Sequence, residues 1–189
     1  MVTAYLVLLG LLAAERIYEL RLSSRNAARA LARGGIEVGQ AHFRWMRLLH
    51  TAFFVSCALE VFLFRREIDL RLAIPMFALA LAAQGLRYWA IATLGERWNV
   101  RVIVVPGQPV ETGGPYRWLR HPNYLAVVIE GFAVPLMGGA WLTAIAFTLL
   151  NAWMLRVRIR AEEDALAQHC EFERRLGDRP RLVPIRAGR

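Results

Sequence analysis

The chain has 189 residues, 57% of them hydrophobic, and a formal net charge of +9. With a mean hydropathy of +0.34, this composition excludes an ordinary soluble domain of that length. The positive charge is carried by arginine alone, and its clustering at the ends of apolar runs argues against nucleic-acid binding in favour of the usual membrane pattern.

About five stretches approach the roughly 20 residues that cross a bilayer core. The first, Val2–Leu22, lacks a basic leader and carries Glu15, Arg16 and Glu19 where a small-residue cleavage site would fall, so it reads as a retained span. Gly34-Gly35-Ile36-Glu37-Val38-Gly39 then breaks the chain and is the most flexible interior segment expected. His42–Phe64 and Ile68–Leu94 are the next spans. Glu60 and Arg87 lie inside them and must face protein, water or each other, as a structural pair or on the wall of an acceptor cavity. Glu15 and Glu19 share a helical face near a membrane boundary, where a structural role is the simpler reading.

Residues 94–115 are irregular. Val102-Ile103-Val104-Val105 lies between turn formers and predicts an extended segment. Tyr124–Gly138 and Trp141–Val157 follow, separated by Gly138-Gly139-Ala140 in a tight helical hairpin. A charged tail helix over Arg156–Leu176 leaves the membrane and stops at Asp178-Arg179-Pro180, after which Leu182-Val183-Pro184-Ile185 packs back on the body. Period-two alternation is absent, which argues against a membrane barrel. No internal repeat supports an inverted-repeat transporter. The expected fold is an all-α integral membrane protein of about five transmembrane helices, a single domain over residues 1–189. Its loop and C-terminal helix form a cofactor pocket within residues 94–176.

Arg21, Arg25, Arg29, Arg33 and Arg44 follow the first span, Arg97, Arg101, Arg117 and Arg120 the third, and Arg156, Arg158 and Arg160 the fifth. Five alternating spans put all of these on one side, with the N-terminus outside and the C-terminus cytoplasmic. The lysine-free composition points to a GC-rich bacterial genome and hence an inner membrane. Cys57 lies within a span and Cys170 near the C-terminus, so no disulfide framework is expected. His42, His50, His121 and His169 match no zinc-ligand spacing, and no metal is expected.

Two motifs carry the chemistry. In Gly113-Gly114-Pro115-Tyr116-Arg117-Trp118-Leu119-Arg120-His121-Pro122-Asn123-Tyr124, proline starts the helix and pushes His121 into the cap position. The free N–H groups of that helix end, with Arg120, favour an anionic group. Tyr116 and Tyr124 donate hydrogen bonds or stack. Arginine and aromatic residues at a helix mouth also serve as interfacial anchors. In Arg158-Ile159-Arg160-Ala161-Glu162-Glu163-Asp164, Arg158 and Glu162 share one helical face. A solvated helix with surface ion pairs shows the same pattern.

Together the Gly-Pro-Tyr…His-Pro-Asn-Tyr run, the helical hairpin and the Arg-x-x-x-Glu-Glu helix resemble the isoprenylcysteine carboxyl methyltransferase family. The resemblance covers about Leu94–Leu176 and the step at Leu182–Pro184. The N-terminal pattern Glu15-Arg16…Glu19-Leu20…Arg25-Asn26…Gly34-Gly35-Ile36-Glu37 is similar to a bacterial branch associated with methylating lipid-like polyketides such as alkylpyrones. The resemblance implies a membrane enzyme that uses S-adenosylmethionine without a Rossmann domain, in keeping with the absence of a GxGxxG motif after a strand.

The family pattern places the cofactor against Gln108, Pro109, Val110, Glu111, Tyr116, His121, Pro122, Asn123 and Tyr124, with Glu162 reaching it from the tail helix. Arg158 matches the arginine that orients the acceptor carboxylate. Arg158, Glu162 and His121 are therefore the expected catalytic residues. Two departures stand out: Gln108-Pro109-Val110-Glu111 replaces a His-x-Leu-Val loop, and Phe172 stands where a tyrosine pair is usual. The acceptor is expected to be a lipid-like or prenylated molecule delivered among membrane lipids. A carboxylate needs no strong base, whereas an enol or phenol would call on His121 or Glu163. Alkylpyrone or alkylresorcinol hydroxyls and phospholipid amines stay open as acceptors. A membrane NADPH-dependent reductase is the competing enzyme class, and a small transporter or assembly subunit the non-enzyme one.

Overall fold

The computed structural model describes residues 1–182, apart from the side chain of His42. Val183, Pro184 and Ile185 of the expected terminal step lie outside the described residues. The elements are α1 (Val2–Ala32), β1 (Ile36–Val38), α2 (Gln40–Leu63), α3 (Leu70–Leu94), β2 (Val102–Val104), α4 (Pro122–Met137), α5 (Trp141–His169) and α6 (Phe172–Leu176). Single 3-10 turns occupy Gly95–Arg97 and Gly114–Arg117.

The architecture is helical and suited to a membrane, but a count of five spans is not established. Among the described residues three helical stretches are long and apolar enough to cross a bilayer, Phe43–Leu63, Leu70–Arg97 and Trp141–His169, and α4 is a shorter apolar helix. Helix α1 has the length, but Glu15, Arg16 and Glu19 interrupt its apolar surface. With 16 residues, α4 falls short of the roughly 20 that span a bilayer core.

Two local expectations need correction. The expected tail helix is not separate, because α5 runs unbroken from Trp141 to His169 and only the short α6 follows. Arginine and glutamate are good helix formers, so the shift from apolar to charged sequence changes what surrounds the helix without ending it. The Gly34–Gly39 segment, in turn, is a built connection. Gly34 adopts φ 81°, and the Gly35 N–H donates to the Ala30 carbonyl at 2.9 Å, closing the end of α1. The chain then enters β1, which pairs antiparallel with β2 in the register Ile36↔Val104, Glu37↔Ile103, Val38↔Val102. The extended reading of Val102–Val105 holds over Val102–Val104, and among the described residues the fold is all-α except for this two-stranded ribbon.

The ribbon ties the end of α1 to the segment after α3, so both meet the start of α4 and the end of α5 at one end of the bundle. At the other end the hairpin turn between α4 and α5 is as tight as expected. The helices pack through small residues: a Cβ added at Gly131 would strike the Phe147 ring, and one at Gly138 the Tyr5 ring. Tyr5, Leu9, Phe53, Cys57, Val61, Val134 and Phe147 form the core there.

Glu60 and Arg87 do not pair with each other. Buried Glu60 closes the N-terminus of α5, accepting from the Leu142 N–H at 3.1 Å, the Thr143 N–H at 2.8 Å and the Thr143 hydroxyl at 2.9 Å, with Arg66 at 3.2 Å. A carboxylate at a helix N-terminus satisfies orphan donors and meets the positive end of the helix dipole. Arg87 instead binds Glu130 of α4.

Candidate functional site

At the ribbon end, α1 clamps the loop after α3. Asn26 donates from Nδ2 to the Trp98 carbonyl at 2.8 Å, and Ser23 donates to Asn99 Oδ1 at 2.6 Å while accepting from the Val100 N–H at 2.9 Å. Asn26 and Ser23 are 2% and 3% exposed, so these bonds are dry and hold residues 98–100 in place. The following loop bends back through Glu111, whose Oε1 accepts from the Thr112 and Gly113 N–H groups at 3.0 and 2.9 Å. Arg97 reaches the Pro109 carbonyl at 3.0 Å.

Pro122 occupies the first turn of α4 and leaves His121 at the cap with φ −129° and ψ 63°. The His121 ring stacks on Tyr124 at 5.2 Å between centroids. The Tyr124 hydroxyl lies between the two residues that the sequence pairs on α5: it accepts from Arg158 Nε at 2.7 Å and donates to Glu162. Arg158 in turn donates to the Val100 carbonyl, so the clamped loop, α4 and α5 meet in one hydrogen-bonded chain.

Glu163 turns the other way. Its carboxylate receives His121 Nε2 at 3.1 Å, Arg181 Nη2 at 2.6 Å and Arg120 Nη1 at 3.5 Å. Engaged by these donors and lining neither of the two cavities described below, Glu163 is not placed to act as a base. It anchors a strap instead. The Arg120 and His121 N–H groups donate to the Pro180 and Arg181 carbonyls at 3.0 Å each, and Arg179 reaches the Thr112 carbonyl at 3.4 Å and that of Tyr116. Leu182 packs against Tyr124, Leu155 and Ile159, so the chain does fold back on the body up to that residue.

Two cavities meet here. The smaller, of about 160 Å³, is lined by Gln108, Pro109, Val110, Glu111, Tyr116, His121, Asn123, Tyr124 and Glu162, joined by Arg97, Arg120, Leu166 and Phe172. Pro122 is the one expected cofactor residue that does not line it, being fully buried in the first turn of α4. The larger, of about 750 Å³, lies among α1, α2, α3, α4 and α5 and is mostly apolar, with Arg158 on its wall. Trp98, Asn99, Asn123 and Tyr124 line both. Trp98 is 2% exposed, yet its Nε1 and Asn123 Oδ1 have no hydrogen-bond partner among the described residues. Two buried polar atoms left open at a shared wall are the kind a ligand completes.

The small cavity suits S-adenosylmethionine by its donor set, but at about 160 Å³ it holds the whole cofactor only if it widens or shares the adjoining cavity. Glu111 and Glu162 offer anionic partners for a sulfonium and an ammonium, Arg97 a partner for a carboxylate, and Tyr116 an aromatic face for a purine, while Arg120 is taken up by the Gly177 and Arg179 carbonyls and Glu163. Burial, with Glu162 and Glu111 nearby, pushes the Tyr116 phenol up from its ordinary value and keeps it a donor. Among the described residues no group of three or more His, Cys, Asp or Glu is placed to hold a metal.

Trp98, Asn99 and Ser23 were not singled out from sequence, and Asn26 stood only in the N-terminal pattern, with no role given to it. The available signal was the i, i+3 spacing of Ser23 and Asn26 on one face of α1, which nothing in the sequence links to residues 98–100.

The fold and paired cavities define a helical membrane-type protein with a polar pocket opening onto an apolar one. The chain belongs to the isoprenylcysteine carboxyl methyltransferase family, whose model matches residues 76–168. It is 36% identical over 163 residues to the uncharacterized protein YpbQ of Bacillus subtilis, covering 86% of this chain and 96% of that one. An uncharacterized protein of Haemophilus influenzae is 28% identical over 159 residues, covering 82% of this chain and 90% of the relative. Family membership points to methyltransferase activity at a membrane.

Proposed function

We propose that this protein is an S-adenosylmethionine-dependent O-methyltransferase acting on a carboxyl or hydroxyl oxygen of a lipid-like or prenylated acceptor held in the large cavity. The observation that carries this reading is the wall shared by the two cavities, where Tyr124 joins Arg158 on the acceptor side to Glu162 on the cofactor side.

When bound, S-adenosylmethionine supplies an electrophilic methyl group. Glu162 and Glu111 balance its positive charge, and Tyr116, Gln108, Val110 and Asn123 shape its pocket. Arg158, 5% exposed, holds the acceptor oxygen as an anion, so a carboxylate, already ionised, needs no general base, and an enol or phenol is taken as the anion formed by losing its proton to solvent before it enters. The Trp98 N–H is the second donor to that oxygen. His121, held by Glu163 and stacked on Tyr124, positions the tyrosine. With the reacting groups fixed at the junction and water excluded, alignment supplies most of the rate. The arginine-rich site face lies on the cytoplasmic side of a bacterial inner membrane in this reading.

The test is incubation of the purified protein with methyl-labelled S-adenosylmethionine and a panel of farnesylcysteine analogues, alkylpyrones and alkylresorcinols. Base-labile label in the product identifies an ester, and stable label an ether. Calorimetry showing NADPH binding and no S-adenosylmethionine binding would refute the reading in favour of a reductase.

A further inference from the structure

The large cavity carries a polar patch that methyl transfer at Arg158 does not use. On α1, Arg16 Nη1 meets Glu19 Oε2 at 2.9 Å. Arg87 of α3 lies 3.8 Å from the same oxygen and donates from Nε to Glu130 Oε1 of α4 at 3.1 Å. Glu15 extends the network, pairing with Arg16 at 3.0 Å. Arg16, Glu19, Arg87 and Glu130 all line the cavity. An ionic cluster on the wall of an apolar cavity is costly as architecture, since desolvation opposes the pairing and apolar side chains of similar volume hold helices together as well or better.

The cluster is also incomplete. It joins three carboxylates to two guanidinium groups, and although Gln84 and Tyr88 also donate to Glu15, Arg16 Nη1 is left without a hydrogen-bond partner among the described residues. The hydrogen-bond acceptor left open beside it is Oε1 of Glu19, which is 5% exposed and likewise has no hydrogen-bond partner among the described residues. A purely hydrocarbon acceptor would leave that oxygen buried and unsatisfied. A ligand hydroxyl would complete it.

Resting on the methyltransfer reading above, we propose that the Arg16–Glu19–Arg87–Glu130 cluster is a second recognition subsite. It takes a hydrogen-bond-donating hydroxyl on the body of the lipid-like acceptor, apart from the oxygen that is methylated. Glu130 lies six residues beyond Tyr124 on α4, which places the patch about 9 Å deeper than the transfer junction. A hydrogen bond of about 2.8 Å at each end leaves a few ångströms between the acceptor's two polar groups. The donor therefore sits close behind the reacting headgroup, and the end of the tail meets only apolar wall.

The experiment uses stearate and a series of hydroxystearates with the single hydroxyl moved along the chain, their binding to the full chain in detergent read by native mass spectrometry. Stearate presents its unmethylated carboxylate to Arg158, so binding is read without any methyl transfer. A hydroxyl within a few carbons of the carboxylate is expected to tighten binding about tenfold over stearate, and one near the chain end to weaken it. Glu19→Met should remove that preference while leaving the affinities for stearate and S-adenosylmethionine unchanged. Hydroxylated chains binding no tighter than stearate at any position, or a preference that survives in Glu19→Met, overturns the proposal. If that variant does not fold, the positional series on the unaltered protein decides alone. Calorimetry with S-adenosylmethionine on the same preparation tests the methyltransfer reading separately.

Discussion

Removing one oxygen atom tests the junction most directly. Tyr124→Phe keeps the ring that stacks on His121 but deletes the hydroxyl that accepts from Arg158 at 2.7 Å and donates to Glu162. Each of those hydrogen bonds involves a charged partner and is worth about 1.5–3 kcal/mol. The gross loss of about 3–6 kcal/mol overstates the effect, because Arg158 and Glu162 lie one helical turn apart and can relax toward each other, recovering part of it. A net loss of about 2–4 kcal/mol in transition-state stabilisation follows, or roughly 30- to 900-fold in kcat/KM at 1.36 kcal/mol per decade. The assay is methyl transfer from labelled cofactor to an acceptor identified by the panel, with cofactor affinity measured by calorimetry. Most of the loss should fall on kcat, since the groups that bind the cofactor remain while their alignment with Arg158 is lost. A variant whose kcat/KM stays within about threefold of the parent, with both ligands bound normally, would show that the tyrosine bridge has no part in catalysis.

Trp98→Phe keeps an aromatic wall between the cavities but removes the unpaired N–H. It should raise the acceptor KM or lower kcat by about tenfold, with cofactor affinity and melting temperature unchanged, the cost of one hydrogen bond to a charged acceptor. Glu60→Ala lies at the opposite end and should do the reverse. Loss of the α5 cap, with buried donors left unpaired, should cost about 2–4 kcal/mol by thermal unfolding in detergent and leave cofactor affinity unchanged. Arg181→Ala removes a cation from Glu163 and loosens the strap over the Gly113–Tyr124 loop. It should weaken cofactor binding severalfold by calorimetry while methylation at saturating cofactor is retained, and unchanged affinity would show that the strap does not shape the pocket.

The parts of this molecule legible in its sequence are those fixed by local chemistry. Pro122 starting α4, the turn at Gly138–Ala140 and the shared face of Arg158 and Glu162 each follow from a few neighbouring residues, and each is found where expected. Less legible were the relations that depend on which helices touch. Glu60 and Arg87 look alike in sequence, one ionisable residue in each of two apolar runs, but one closes a helix end and the other lines a cavity. Glu162 and Glu163 are adjacent and chemically identical. The 100° between them on α5 sends one to Tyr124 at the junction and the other to His121 and Arg181 under the strap. The clamp of Ser23 and Asn26 on residues 98–100 spans more than 70 positions and leaves no local trace.

That division explains how one short motif serves both pocket and scaffold. His121 and Tyr124 stack, one ring held by Glu163 and the other holding Glu162, so the carboxylate under the strap sets the ring that positions the carboxylate at the cavity junction. A lone Arg-x-x-x-Glu pair on a helix is worth only tenths of a kcal/mol in water. The same pair acquires a directed role when a buried phenol bridges it and a carboxylate one residue further on is pinned by three cationic or hydrogen-bonding partners. The Gly-Pro-Tyr…His-Pro-Asn-Tyr run and the Arg-x-x-x-Glu-Glu helix therefore act as two halves of one device, the first supplying both rings and the second both carboxylates.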